Sequence, residues 1–155
     1  MSYIFSIDPG NEESAYCIIE HDTLKPVEFA KINNHDLIAN VRSLRQFQVV
    51  IEMIACYGMA VGKEVFDTCV WIGKFSEASY NISFNPNVQY VYRLEEKLHI
   101  CQSPKAKDSN IIQALKDRFG DKGTKKAPGW FYGFSKDIWQ AYAVGLTYIE
   151  TKMNI

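Results

Sequence analysis

Three carboxylates in this sequence stand where a strand is predicted to end or a helix to begin. Asp8 closes an apolar run near the N-terminus, and the Pro-Gly pair that follows it cannot continue a strand. Glu52 closes a second apolar run, and Asp137 falls in the first turn of the last predicted helix. Oxygen ligands held by rigid elements suit hard cations, so these three acids are candidate ligands of Mg²⁺, with Mn²⁺ as the alternative ion.

Such a group of acids predicts a phosphoryl-transfer reaction. Two ions about 3.5–4 Å apart can activate water and stabilise the leaving oxygen of an in-line displacement. The sequence therefore predicts Asp8, Glu52 and Asp137 as catalytic metal ligands, with two ions in each active site. Each acid also has an ordinary interpretation, as part of a turn, a surface ion pair or an acid at a helix N-terminus.

The elements that must position these acids alternate in type along the chain. Strands are predicted over 3–8, 14–20, 26–32, 47–52 and 87–92, helices from about 34 and over 62–79, 108–119 and 136–152, and a short amphipathic turn over 94–101. The first three strands form an antiparallel meander, and a helical connection then places the fourth strand parallel beside the first. The predicted fold class is α/β, with a ribonuclease H-like five-stranded mixed sheet flanked by helices, in a single domain spanning 1–155. Asp8 and Glu52 should then meet at one sheet edge.

Charge is distributed unevenly along a chain whose formal net charge is −1. Residues 97–136 carry nine Lys and Arg against three Asp, which favours an anionic partner such as nucleic acid, although a solvated surface is the alternative. Lys105 and Lys107 precede a predicted helix and could contact a scissile phosphate, and Lys107 is a candidate catalytic residue. Lys122, Lys125 and Lys126 are predicted to hold the backbone of a DNA arm.

Cysteine spacing and hydropathy exclude several other classes. The four cysteines include no CxxC pair, so a zinc finger is not expected, and Cys17 and Cys69 lie in apolar stretches typical of a core. No apolar run is close to the length of about 20 residues that a membrane span needs. We therefore expect a reduced, soluble protein without a membrane partner, acting in the cytoplasm, or in the host cytoplasm if a phage encodes it.

Several motifs resemble phage-type RuvC Holliday junction resolvases over nearly the whole chain. They are Ile-Asp-Pro-Gly at 7–10, Val-Val-Ile-Glu at 49–52, the stretches 57–66 and 103–111, and the start of the last helix at 137–147. The resemblance implies a homodimer that nicks four-way junctions, forks and flaps with Mg²⁺ and leaves 5′-phosphate and 3′-hydroxyl ends. Tyr57, at the start of one of these stretches, is a candidate DNA-binding residue.

Two positions depart from the pattern of the bacterial members. The bacterial members carry a second acid three residues into the last helix, where this chain has Gln140, a weaker neutral ligand. Asp108 is the candidate for a replacement acid. They also carry a phenylalanine, implicated in opening the junction, where this chain has Ala55.

Two other functions remain open from the sequence. One is a branched-DNA binding module whose metal site is weakened by Gln140. The other is an actin-like or sugar-kinase-type ATPase, because Asp8, Gly10 and Ser14 match the spacing of its first phosphate loop. For the homodimer, the predicted helix at 62–79 is the first choice of interface, through Val65, Cys69 and Ile72.

Overall fold

The structure is a computed structural model that describes residues 2–80 and 88–153. These residues form five strands and five α-helices. The strands are β1 (Tyr3–Asp8), β2 (Glu13–Glu20), β3 (Pro26–Asn33), β4 (Gln48–Met53) and β5 (Val88–Tyr92). The helices are α1 (Asn34–Ser43), α2 (Lys63–Ala78), α3 (Arg93–Cys101), α4 (Asp108–Phe119) and α5 (Asp137–Tyr148), and α5 continues into a π-helical turn at Ile149–Met153.

The sheet has the mixed topology that the sequence predicts. Its strand order is β3-β2-β1-β4-β5, with β1, β2 and β3 antiparallel and β4 parallel to both β1 and β5. The predicted five-stranded α/β fold class is confirmed. Residue 87 of the predicted fifth strand lies outside the described residues.

Alternating apolar side chains divide the core into two layers, one on each face of the sheet. Phe5, Ile7, Val49 and Ile51 pack against α1 and α2, through residues such as Leu37 and Phe75. On the other face, Ile4 and Val50 pack against α5, which is buried along nearly its whole length. Because the side-chain period of a strand is two, the parity of a residue decides which helical layer it faces.

Two local predictions are wrong. Residues 93–101 form the helix α3 rather than a short turn. Cys69 is exposed on α2, whereas Cys17 is buried as predicted. Residues 120–134 form a loop, in which a bridge between Gly123 and Pro128 and a hydrogen bond of 2.8 Å from Gly129 N–H to Lys122 O close a small hairpin.

The aromatic side chains after this hairpin belong mainly to the core. Phe131 is fully buried, and Trp130 stacks on Phe119 with their ring centroids 5.2 Å apart. Tyr132 keeps 43% of its surface exposed. Within the described residues, no helix combines the length and the apolar character that crossing a bilayer requires.

Candidate active site

Strand register brings Asp8 and Glu52 together on the sheet face that packs against α5. Ile7 pairs with Ile51 in the parallel β1–β4 ladder, so Asp8 and Glu52 occupy the next rung. Both have the same parity as the residues that contact α5, and Glu52 is only 7% exposed. Parallel strands that end side by side therefore place two carboxylates at one carboxyl edge, where ligands of such sheets bind.

A buried hydrogen-bond network holds the backbone just after Asp8. The Ser14 hydroxyl accepts the Gly10 N–H at 3.0 Å and donates to the Asn34 side chain at 2.6 Å, and Asn34 donates back to the Gly10 carbonyl at 2.9 Å. A Cβ on Gly10 would clash with the Glu13 carbonyl oxygen, so only glycine fits this turn. The network fixes the direction in which the chain leaves β1.

The last helix delivers Asp137 and Gln140 to the same edge. α5 comes close to the sheet at Gly145, where a Cβ would lie 2.8 Å from the Ser6 hydroxyl oxygen. The Ser6 hydroxyl also lies 2.7 Å from the Ala141 carbonyl. Asp137 begins the helix and accepts a hydrogen bond of 2.7 Å from Lys31, on the edge strand β3.

The helix α3 adds two charged residues that were not predicted from the sequence. Arg93 starts α3 directly after β5, lies 3.5 Å from the Glu52 carboxylate and also pairs with Asp108. Glu96, one turn later, is fully buried. The Gln140 amide lies between the carboxylates of Glu52, at 3.3 Å, and Glu96, and donates toward both.

These two residues left a weak signal in the sequence. Arg93 and Glu96 are spaced i, i+3 immediately after a parallel strand, so a helix at this point would place both at the carboxyl edge. The apolar residues around them span only a nine-residue segment, and so short an amphipathic pattern favoured a turn over a helix.

The clustered acids are poorly neutralised. Burial, followed by the charge of Glu52 and a hydrogen bond with it, raises the pKa of Asp8 to about 9. Asp137 adds to this rise, whereas Arg93 opposes it. Burial and the Glu52 carboxylate also raise the pKa of Glu96 well above its usual range. This edge of the sheet therefore favours either protons or bound cations.

The other predicted site residues lie at the start of α4, just before it, or in the hairpin. Asp108 starts α4 with its side chain 70% exposed, pairs with Arg93 and lines a small cavity together with Asp8, Asp137 and Gln140. Lys107 precedes it and is exposed, and Lys105 lines a separate cavity beside α4. Lys125 and Lys126 are exposed in the hairpin, and Lys122 is partly buried there.

Two cavities flank the carboxylates. The larger, of about 410 Å³, is lined by Asp8 and Glu52 and by the side chains of Tyr57, Tyr92, Arg93 and Lys97, among others. The smaller, of about 170 Å³, lies between Asp8, Arg93, Asp108, Asp137 and Gln140. Tyr57 is 71% exposed and has a φ of 48°, a backbone conformation that non-glycine residues rarely adopt. The edge of the sheet is therefore an open cleft with an acidic floor and mixed aromatic and basic walls.

The donor set suits a hard divalent cation, although the acids do not stand in finished ligand geometry. In the part of the chain that the structure describes, no three His, Cys, Asp or Glu side chains form a ready-made metal site. Lys31 and Arg93 draw Asp137 and Asp108 toward themselves. The oxygen-only donors and the unpartnered buried Oε2 of Glu96 are the features that fit a cation.

Solved structures share this architecture. RuvC of T. thermophilus in complex with Holliday junction substrate has a TM-score of 0.73 at 15% identity, covering 99% of this chain and 97% of that one. The chain has the RuvC fold. A second Thermus thermophilus RuvC structure has a TM-score of 0.69 at 13% identity, covering 98% of this chain and 96% of RuvC. No protein-family model and no curated protein matches the sequence.

Proposed function

We propose that this protein is a divalent-metal-dependent endonuclease that nicks branched DNA and resolves Holliday junctions. The observation that carries the proposal is the meeting of Asp8 and Glu52, at the ends of adjacent parallel strands, with Asp137 of α5 across an open cleft. The shared fold with RuvC, which was solved with a Holliday junction substrate, supports the choice of branched DNA.

In the proposed mechanism Asp8, Glu52 and Asp137 would hold two Mg²⁺ ions, or Mn²⁺ in their place. Bound ions of this kind supply activation of a water nucleophile and neutralise charge on the leaving oxygen. The acids keep the site oxygen-rich, and Arg93 and Lys97 in the cleft offer positive charge to a DNA phosphate. Attack by water on phosphorus, with departure of the 3′ oxygen, leaves 5′-phosphate and 3′-hydroxyl ends.

The walls of the cleft fit a branched substrate. Tyr57, Tyr92 and Leu94 line the same cavity as Asp8 and Glu52, so exposed apolar surface lies beside the acids. Aromatic side chains stack on unpaired bases without regard to sequence. We therefore assign Tyr57 to contacts near the branch point, and Lys105, Lys107 and the hairpin lysines to the DNA backbone.

The structure disfavours the ATPase interpretation. The Ser14 hydroxyl, which that interpretation would use for a phosphate, is 1% exposed and is committed to Gly10 and Asn34. A binding module with a weakened metal site remains the second candidate function, because Gln140 is neutral and two acids pair with cationic side chains. Cleavage separates it from the nuclease.

The deciding experiment is a strand-mapped cleavage assay on a synthetic four-way junction, with and without Mg²⁺. We expect symmetric nicks that require the ion. Asp8→Asn, Glu52→Gln and Asp137→Asn should each lower the cleavage rate by orders of magnitude while DNA binding is kept or strengthened, because a carboxylate repels phosphate. Glu28→Gln, an exposed acid on β3, is the matched control and should cut at the wild-type rate. Full activity in Asp8→Asn would refute the assignment.

A further inference from the structure

Glu96 is a carboxylate buried where a structural role does not account for it. Its side chain comes from α3, is fully buried and has one oxygen, Oε2, that makes no hydrogen bond within the described residues. A buried carboxylate without adequate partners is costly, because water no longer solvates it. An acid in this position needs either a proton or a cation.

Glu96 lies beside Glu52, one of the proposed metal ligands. It interacts directly with the Glu52 carboxylate and feels the charge of Asp8. Its other oxygen, Oε1, accepts a hydrogen bond from the Gln140 amide, and the same amide donates to Glu52 at 3.3 Å. The three side chains converge from β4, α3 and α5 on one point beneath the cleft.

Gln140 is placed to orient the carboxylates of Glu52 and Glu96 rather than to bind a metal itself. Its amide nitrogen, which has no lone pair for a metal, faces the two carboxylates. A donor shared between two acids holds both in place and lowers their mutual repulsion. Second-shell donors of this kind orient the ligands of a metal site.

We infer that Glu96 is a further carboxylate ligand of the metal site, supplied by α3, and that Gln140 is the amide that orients it against Glu52. This inference rests on the proposed function, because it assigns a residue to the same site. It gives the site four acids from four elements: β1, β4, α3 and α5. Asp108, mostly exposed and paired with Arg93, is then a neighbour of the site rather than its fourth acid.

The test measures Mn²⁺ binding by the full chain without DNA. Calorimetry gives the affinity, and the rise in melting temperature on adding Mn²⁺ gives an independent measure of binding. Glu96→Gln, which keeps shape and removes charge, should weaken Mn²⁺ binding about 10-fold or more. The same variant should melt higher than wild type without metal, because it removes the cost of burying a carboxylate or of protonating it on folding. A residue with a merely structural role would lower that melting temperature and leave Mn²⁺ affinity unchanged.

Two further variants show whether the effect of Glu96→Gln on Mn²⁺ affinity comes from the lost charge or from a change in side-chain packing. Glu95→Gln, on the same helix but directed toward Lys152, is the control and should bind Mn²⁺ as wild type does. The double variant Glu96→Gln with Gln140→Glu moves the carboxylate from α3 to α5 and should recover most of the lost affinity. If Glu96→Gln does not fold, this double variant still tests the proposal, since it restores one acid and one amide at the same point.

The outcomes that overturn the inference are distinct from those that overturn the proposed function. Mn²⁺ affinity within twofold of wild type in Glu96→Gln, with wild type still cutting junctions, overturns the inference alone. Loss of affinity in Glu96→Gln without recovery in the double variant would assign the effect to shape and also overturn it. A wild-type protein that neither binds Mn²⁺ nor cuts overturns both.

Discussion

At the scale of single residues, the site joins acids that repel one another. Asp8, Glu52 and Glu96 interact directly, and the cations in contact with the acidic group, Lys31 and Arg93, pair with Asp137, Glu52 and Asp108. Such repulsion costs stability in the metal-free protein and would favour the binding of a divalent ion, as proposed above. Strain of this kind is common at functional sites.

This repulsion predicts a pH dependence of folding in the metal-free protein. Burial and Glu52 raise the pKa of Asp8 from 3.8 to about 9, so over this interval the folded chain binds more protons than the unfolded chain. The stabilisation is complete below the lower pKa and is lost as pH rises toward the upper one. Glu96 contributes with the same sign.

Asp8→Asn should therefore be more stable than wild type at pH 8, and the difference should shrink toward pH 5. Urea denaturation of the two metal-free proteins across this range measures it. Saturating Mg²⁺ should flatten the pH dependence in wild type more than in the variant. A metal-free wild type that gains stability relative to Asp8→Asn as pH rises would contradict the assigned environment of Asp8.

At the scale of elements, the distance between α5 and the sheet positions the acids. Gly145 lets the helix approach β1 and β2, where an added Cβ would meet Ile19 Cδ1 at 2.5 Å and the Ser6 hydroxyl at 2.8 Å. Asp137 and Gln140 lie on the same helix. Any shift of α5 away from the sheet therefore reaches the active site.

Gly145→Ala should destabilise the protein by about 1–3 kcal/mol through overpacking and should also reduce cleavage. Gly73→Ala on α2 is the matched control, because nothing lies within 4 Å of its added Cβ. That variant should gain up to about 1 kcal/mol from helix propensity. Chemical denaturation of both variants makes the comparison, and a Gly145→Ala protein as stable as Gly73→Ala would refute the close approach.

The hairpin over 120–134 is the second element with a predicted role. Its lysines point from a hydrogen-bonded turn, so their charge is presented by an ordered segment. Replacing Lys122, Lys125 and Lys126 together by Ala should reduce the salt dependence of DNA affinity, by about 0.9 in the log–log slope for each DNA phosphate that the variant no longer neutralises.

The control for this experiment replaces three exposed cations elsewhere, Lys25, Arg42 and Lys63, by Ala. Binding of a four-way junction and of a fork is measured over a salt series. The hairpin variant should weaken both substrates alike, since phosphate contacts carry no sequence or branch information. An unchanged slope in the hairpin variant would place the DNA-binding surface on another face.

At the scale of the whole molecule, resolution of a junction requires two cuts on opposed strands. A two-fold symmetric dimer supplies two sites in matching orientation, and we predict that this protein forms one. The predicted interface on α2 needs correction, because Ile72 is 3% exposed and belongs to the core beneath the helix. The exposed apolar side chains of α2 are instead those of Phe66, Cys69 and Val70.

Phe66 and Val70 are 61% and 56% exposed, which is unusual for neighbouring apolar residues on one helix face. Phe66→Glu should convert the dimer to a monomer in sedimentation equilibrium and replace paired cuts by single nicks. Val27→Glu, at a 50% exposed apolar residue on β3, is the control and should stay dimeric. A wild type that sediments as a monomer at tens of micromolar while cutting symmetrically would contradict the symmetry argument.

Much of the fold was readable from local patterns. The apolar runs that end in Asp8 and Glu52 predicted β1 and β4, and the helical connection between them predicted their parallel pairing, because such crossovers join parallel neighbours. For the cap of α1, the local pattern indicates either Asn33 or Asn34. Asn33 caps the helix, accepting from His35 N–H at 2.8 Å, whereas Asn34 is buried under the turn after Asp8.

The sequence by itself determined the five strands, the pairing of the first four and the edge at which Asp8 and Glu52 meet, because strand periodicity and connection rules act over short stretches of chain. Only the tertiary structure decided the partners of these acids. Glu96 and Gln140 are 44 residues apart and meet because α3 and α5 pack over the same edge. Lys31, on β3, reaches Asp137 across 106 residues because α5 packs across the sheet. Contacts of this range depend on how helices pack on the sheet, which no local pattern encodes.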